Sequence, residues 1–390
     1  MPIARSRSLE QHIAVFGESG SGKTVLLSSF YGATQEPHYL QRSLYNIVAD
    51  DIGQGSRLHR NYLGMRDSGR PPEATRFAGI PYSFSIKLKD EADPKAMKRR
   101  PFDALRLIWH DYPGEWFDQD VSGPEEAERR MDTFRSLLSS DVAFLLVDGQ
   151  RLLDNAGEEE RYLKSLFGNL RNSLLTLREG LLVKGNPLVD FPRIWIVALS
   201  KADLLPNMTV WQFRDLLIEK ACDEMQELRQ VIGGLIASSE ALSVGEDYLL
   251  LSSARFEPGR IDVTNRIGLE LILPIAAMLP FERHARWSKA IQLPGKVAES
   301  LLGAAGALLA TALVGRKIAK PAAVGPAKLI AAAIAGADVL NTAVNLAGDK
   351  LKAINAEAIA KHDTLRATLT QFKLALEHGE NRQVLLRSLR

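Results

Sequence analysis

The 390-residue chain contains one cysteine, Cys222. A lone thiol excludes an intramolecular disulfide framework and any multi-cysteine zinc site, and it fits a reducing compartment. The first residues, MPIARSRSLEQ, lack an apolar h-region, so no secretory signal is expected and a cytoplasmic setting is. Long hydrophobic runs are missing too. An uncharged run from Ser300 to Gly315 falls short of the roughly 20 residues that cross a bilayer, and the apolar stretch from Leu329 to Gly348 carries Asp338 and Asn341. Aromatics make up 7% of the chain, and after Trp287 only Phe372 remains. Base stacking by the last third therefore has no support, and nucleic acid is not an expected partner.

What is present is globular in character: 46% hydrophobic and 25% charged residues exclude wholesale disorder. The length suggests one large domain plus an appendage. The net charge of +2 conceals an asymmetry. Residues 281–390 hold 16 Lys and Arg against 8 Asp and Glu, net +8, leaving net −6 on the rest. A basic region on an acidic body points to an anionic partner surface.

Residues 1–280 alternate β-branched runs with longer helical stretches, the pattern of an α/β fold on a largely parallel sheet. Six strands are expected: HIAVF from His12, YSFSIKL from Tyr82, ALRLIWH from Ala104, DVAFLLVDG from Asp141, RIWIVAL from Arg193 and EDYLLLS from Glu246. Helices are expected to start near Lys23, Glu125, Glu158, Thr209 and Asn265. Residues 31–70 show no sustained period and read as a long excursion. Composition shifts after Pro294 to Ala, Gly, Val and Leu, with Arg316, Lys317, Lys320 and Lys328 among them. Two pictures fit that stretch, 297–348: a packed helical hairpin turning near Lys320 to Pro326, or reversible insertion into an anionic membrane surface. Leu365, Leu369, Phe372 and Leu376 then recur at helical spacing, so an amphipathic helix should cover apolar surface there.

The first strand leads into Gly17, Glu18, Ser19, Gly20, Ser21, Gly22, Lys23 and Thr24, the complete GxxxxGK[ST] phosphate-binding pattern in its strand-to-helix setting. Glycines let backbone N–H groups wrap phosphates, Lys23 neutralises β- and γ-oxygens, and the Thr24 hydroxyl is a Mg²⁺ ligand. The strand ALRLIWH runs into Asp111, Tyr112, Pro113 and Gly114, a DxxG element. Its Asp holds Mg²⁺ through water and its Gly N–H senses the γ-phosphate. RIWIVAL runs into Ser200, Lys201, Ala202 and Asp203, which resembles the [NT]KxD element that reads guanine. A carboxylate there accepts from N1–H and the exocyclic amine of guanine, whereas adenine would leave it unpaired. Ser200 stands in place of the usual Asn or Thr, and its shorter side chain is expected to tie this loop to the phosphate-binding loop less firmly. Ser252, Ser253 and Ala254 resemble the SAK-type loop whose amide contacts guanine O6.

Together these elements, across residues 12–255, resemble the translation-factor-related (TRAFAC) class of P-loop GTPases. The string DYPGEW, Asp111 to Trp116, more narrowly resembles bacterial YcjX-like GTPases. The resemblance implies a Ras-like P-loop NTPase fold of six mostly parallel strands, the second antiparallel, flanked by helices; the composition shift adds a C-terminal α-helical appendage. Domain limits are set at 8–282, with a switch I insertion at about 31–75, and 283–390 for the basic tail. It also implies a switch I threonine completing the Mg²⁺ shell, for which Thr75 is the candidate. Where many such enzymes carry Gln or His after DxxG, this chain has Glu115. A carboxylate beside the γ-phosphate is repelled, so slow Mg²⁺-dependent hydrolysis is expected, with a supplementary cation from Arg66, Arg70 or Arg76.

The implied function is a GTP/GDP switch whose nucleotide state controls a helical region engaging a membrane or a protein partner, self-association included. Two alternatives stay open: a GTP-held scaffold that does not hydrolyse, and an ATP-driven remodelling protein, against which Asp203 counts.

Overall fold

The β-branched runs form one sheet in the computed structural model, which describes residues 8–72, 81–89, 104–111, 123–182, 185–291, 348–361 and 363–388. Five strands run parallel: β1 (Ser8–Phe16), β4 (Ala104–Asp111), β5 (Val142–Asp148), β6 (Ile194–Ser200) and β7 (Ser243–Leu250). β3 (Tyr82–Leu88) is antiparallel to β4. These six occupy the expected positions. Every residue of β5 and β6 is buried, the mark of strands covered on both faces, which explains why they read as continuous apolar runs rather than alternating ones.

Among the described residues the sheet has eight strands where six were expected. β2 (Tyr45–Ala49) adds antiparallel to β3, and β10 (Leu385–Leu386) adds antiparallel to β7, giving the order β10-β7-β6-β5-β1-β4-β3-β2. Both added strands lie at sheet edges and are five and two residues long, too short to display a period in the sequence. A separate hairpin, β8 (Arg255–Glu257) with β9 (Arg260–Asp262), follows β7.

The helices are α1 (Lys23–Thr34), α2 (Pro37–Arg42), α3 (Ile52–Ser68), α4 (Pro124–Leu137), α5 (Gly149–Asp154), α6 (Glu159–Leu181), α7 (Val210–Leu235), α8 (Ile272–Ala290), α9 (Gly348–Ala360) and α10 (Thr364–Asn381). Starts near residues 23, 125, 158 and 209 agree with expectation. The fifth comes later, because a 3₁₀ turn at Leu269–Leu271 precedes α8. α7 opens with a capping box in which Thr209 Oγ1 accepts from Gln212 N and Gln212 Oε1 from Thr209 N.

The 31–70 excursion is structured. Asp51 caps α3 by accepting from Gln54 N at 2.7 Å, and Gly69 ends it at φ 58°. Leu58, Tyr62 and Met65 bury one stripe of α3, part of it against α1. A Cβ on Gly32 would lie 2.1 Å from Tyr62 Cγ, so glycine is what lets the two helices meet. Tyr62 and Met65 also join Ala254, Ile261 and Val263 in a second apolar cluster.

The boundary expected after residue 282 falls inside α8. The amphipathic pattern of α10 is met, with Leu365, Leu369, Phe372 and Leu376 all buried in the main core. Beneath β10 lies an ionic cluster in which Arg283 Nη2 sits 2.7 Å from Asp247 Oδ1, both side chains fully buried. The 297–347 stretch, with its hairpin expectation, lies outside the described residues. Among the described residues no helix is long and apolar enough to cross a membrane.

A buried group and a half-buried one near β1 titrate in opposite senses. His110 lies 3.1 Å from His12 Nδ1 and 3.0 Å from Ser136 Oγ; burial, then the neighbouring His12, lowers its pKa to about 4. Asp141 accepts the His12 N–H at 2.6 Å, and burial pushes its carboxyl up to about 6. As pH falls from 6.5 toward 4, the unfolded chain protonates the His110 imidazole while the folded one resists, so stability drops. Across pH 6 to 3.8 the folded state holds the Asp141 proton first, so stability rises. Asp141→Asn removes the compensating half. Urea unfolding of the nucleotide-free variant should show an acid-side loss steeper by up to about 3 kcal/mol, and an unchanged slope would mean that the carboxyl is not raised.

Candidate nucleotide-binding site

The site is assembled at the C-terminal edge of the parallel strands, where open α/β sheets bind ligands. β1 ends at Phe16, and the loop from Gly17 to Gly22 feeds α1. Gly20 and Gly22 adopt φ of 82° and 90°, conformations that side chains rarely take. Gly17 has no room for a Cβ, which would meet Ser21 Oγ at 2.6 Å. Lys23 Nζ donates to the carbonyls of Gly17 at 2.6 Å and Glu18 at 3.0 Å, so the ammonium sits inside the curve of the loop. Ser21 N donates to Glu18 O at 3.2 Å and tightens the same turn. Thr24 stands in the first turn of α1, where N–H groups and the helix dipole favour anions.

Asp111 is placed beside this loop by register: on the parallel β1–β4 ladder it pairs with Val15, two residues before Gly17. It is largely buried. Tyr112 through Gly114, Glu115, Thr75 and Arg76 lie outside the described residues, as does the rest of the YcjX-like string. Of the other arginines considered as a supplementary cation, Arg66 is engaged by Glu36 at 2.7 Å and Asp67 at 2.6 Å, and Arg70 is exposed beyond α3.

At the end of β6, Ser200 Oγ donates to Val147 O at 3.3 Å. The serine thus ties its loop to β5. Lys201 takes a left-handed φ of 53°, and its ammonium lies 2.7 Å from Asp148 Oδ2 at the end of β5. Asp203 is held by Ser252, whose hydroxyl donates to Asp203 Oδ1 at 2.6 Å. Ser253 is half-buried, and Ala254 packs into the second apolar cluster with α3.

Two participants escape the motif reading. Asp148 caps α5 by accepting from Gln150 N at 2.9 Å while it pairs with Lys201. Arg151, in the same short helix, sits 2.7 Å from Glu18 Oε2 and so braces the phosphate loop from the side. Gly149 between them has no room for a Cβ, which would meet Ser200 O at 2.7 Å. An aspartate ending a strand at the same sheet edge as Asp111, followed by glycine, was the signal available in the sequence.

The model of Double-GTPase 2 matches residues 11–230, which contain the phosphate loop, Asp111 and the Ser200–Asp203 loop. The chain belongs to the Double-GTPase 2 family. Membership makes it a P-loop GTPase and implies binding of GTP and GDP, as the motif order led one to expect. No curated protein matches it. Among solved structures it is similar to a member of an oligomerised bacterial dynamin pair described as sensing and tethering membranes at long range. That likeness has 14% identity and a TM-score of 0.25, over 96% of this chain and 46% of that one. The present chain therefore spans less than half the length of that protein, and at such a superposition the likeness carries no argument about function.

Proposed function

We propose that the chain is a Mg²⁺-dependent switch that binds GTP through the Gly17–Thr24 loop, reads guanine with Asp203 and hydrolyses slowly. The observation that supports this is the Ser252–Asp203 hydrogen bond: it fixes the carboxylate of the SKAD element from the Ser252–Ala254 loop, on the same sheet edge as Lys23 and Asp111. In the reading, backbone N–H groups of the loop and the Lys23 ammonium receive the phosphates, Lys201 lies along the base, and the amide next to Ala254 faces O6. Thr24 and Asp111 supply hard oxygen donors of the kind Mg²⁺ takes, and Thr75 is assigned the third. Mg²⁺ bound there would screen the charge of the β- and γ-oxygens. Gly114 would sense the γ-phosphate, and Glu115 supports a slow rate. Competition titration of GTP against ATP tests the reading; a clear GTP preference is expected, and equal affinities would overturn it.

The basic 283–390 region is proposed as the output, supported by the net charge of +8 over residues 281–390. On an anionic surface each Lys or Arg near the lipid contributes about 1 kcal/mol, so Arg316, Lys317, Lys320 and Lys328 together would hold a weak, reversible contact. Flotation with neutral and anionic vesicles, in GDP and GTP-analogue forms, should show binding only with anionic lipid and in one nucleotide state. Protein left at the bottom in all four tubes would assign the region to a protein partner or to self-association.

A further inference from the structure

Two consecutive carbonyls in the 383–388 segment hold the chain beside both base-reading loops. Gln383 O accepts from Val210 N at 2.9 Å, at the start of α7, just downstream of the Ser200–Asp203 loop. Val384 O accepts from Leu250 N at 2.8 Å, two residues before Ser252. From there the path is continuous. Leu251 N donates to Leu199 O at 2.8 Å, Ala202 N to Leu251 O at 3.0 Å, and Ser252 Oγ to Asp203 Oδ1 at 2.6 Å.

The segment is held in a costly conformation. Gln383 adopts φ 57°, the left-handed residue that closes α10, where Gln383 N donates to Glu380 O at 2.9 Å and Val384 N to Gly379 O at 3.0 Å; a residue with a Cβ keeps that backbone only when its surroundings fix it. Those surroundings are explicit. Val384 and Leu385 are buried, Ser388 N donates to Asp247 Oδ1 at 2.9 Å, and Arg387 reaches Glu282 Oε2 at 2.8 Å and Glu380 Oε2 at 2.6 Å. On the inner side, a Cβ on Gly268 would lie 2.2 Å from Leu250 O, so the end of β7 has no space to retreat toward that turn. A two-residue edge strand that only finished the sheet would not need the bond to Val210, which lies outside the sheet.

We propose that the 383–388 segment is a clasp that positions Asp203 for guanine, so that docking of the segment and binding of guanine stabilise each other. Gln383 and Val384 are positioning residues; neither belongs to the proposed nucleotide contacts. The proposal rests on the guanine reading of Asp203. By reciprocity, whatever lifts the clasp lowers guanine affinity by the factor with which guanine holds the clasp down. The clasp directly follows α10, so a partner that pulls on α9 or α10 would release nucleotide without touching the nucleotide site.

The test compares GDP with IDP, which lacks only the exocyclic amine. Gln383→Pro forces φ near −65° and should lift the clasp. The preference for GDP over IDP is expected to fall roughly five- to a hundredfold, with a smaller change for IDP itself. Gln383→Gly accepts the left-handed backbone and should keep the preference. A Gln383→Pro protein that loses affinity for both nucleotides equally, or keeps the full preference, overturns the proposal. Hydrogen exchange on the unaltered chain gives an independent readout: the amides of Val210 and Leu250 should slow together when GDP is added, and no response at either refutes the clasp. If the unaltered chain does not prefer GDP to ADP, the guanine reading itself is refuted, and the clasp with it.

Discussion

Lys23→Ala should lose triphosphate affinity by roughly two to four orders of magnitude, about 3–5 kcal/mol, read by titration calorimetry with GTP. The size follows from position. The ammonium is buried in the curve of the loop, where its charge is poorly screened, and phosphate oxygens entering that curve would meet no other lysine of the motif. A second effect accompanies it. The carbonyls of Gly17 and Glu18 lose their shared donor, which should cost the nucleotide-free protein about 1–3 kcal/mol of stability. Thr24→Ala and Asp111→Ala should behave differently, keeping nucleotide binding while Mg²⁺-dependent turnover drops. GTP binding that survives Lys23→Ala unchanged would mean that the loop is not the site.

Asp203→Asn should reverse base choice. Ser252 donates to Oδ1, so in the variant the amide oxygen takes that bond and the amide nitrogen is turned outward. A donor then faces the position where guanine carries its own amine, and two donors repel. GTP affinity should fall roughly ten- to a hundredfold, in keeping with about 1.5–3 kcal/mol for a hydrogen bond to a charged group. Xanthosine triphosphate, with a carbonyl at that position, should gain. Ser252→Ala would blur the switch by freeing the amide to flip, and competition binding between the two triphosphates reads both variants. If Asp203→Asn left the GTP to xanthosine triphosphate ratio unchanged, the carboxylate would not be reading the base.

The motifs were readable because each is local. Eight consecutive residues specify the phosphate loop, and strand ends announce Asp111 and Asp203. The central strands were equally plain, because continuous burial leaves a continuous apolar run. What stayed hidden depends on distant partners. α3 buries only four of its seventeen residues, so its stripe is thin, and its glycines suggested a loop. β10 is two residues long, and its pairing reaches across more than 130 positions to Leu249 and Tyr248. Ser252 was legible only as the first residue of the Ser252–Ala254 element, and its hydroxyl donates to Asp203 Oδ1. The Lys201–Asp148 pair joins motif to non-motif, and no spacing rule covers it.

Excising the excursion between α1 and β3 would not be a loop deletion. Ten of the twelve residues of α1 are buried, and one flank of that helix lies under Tyr62 and its neighbours. An ornament can be trimmed from a scaffold and leave a hydrophilic scar; removing α3 would strip a face from the helix that carries Lys23, and the Ala254 loop would lose Tyr62 and Met65 as well. The added helix is therefore structural tissue shared by the helix that follows the Gly17–Gly22 loop and by the Ala254 loop. A chimera that transplants those loops without it should be insoluble rather than merely inactive.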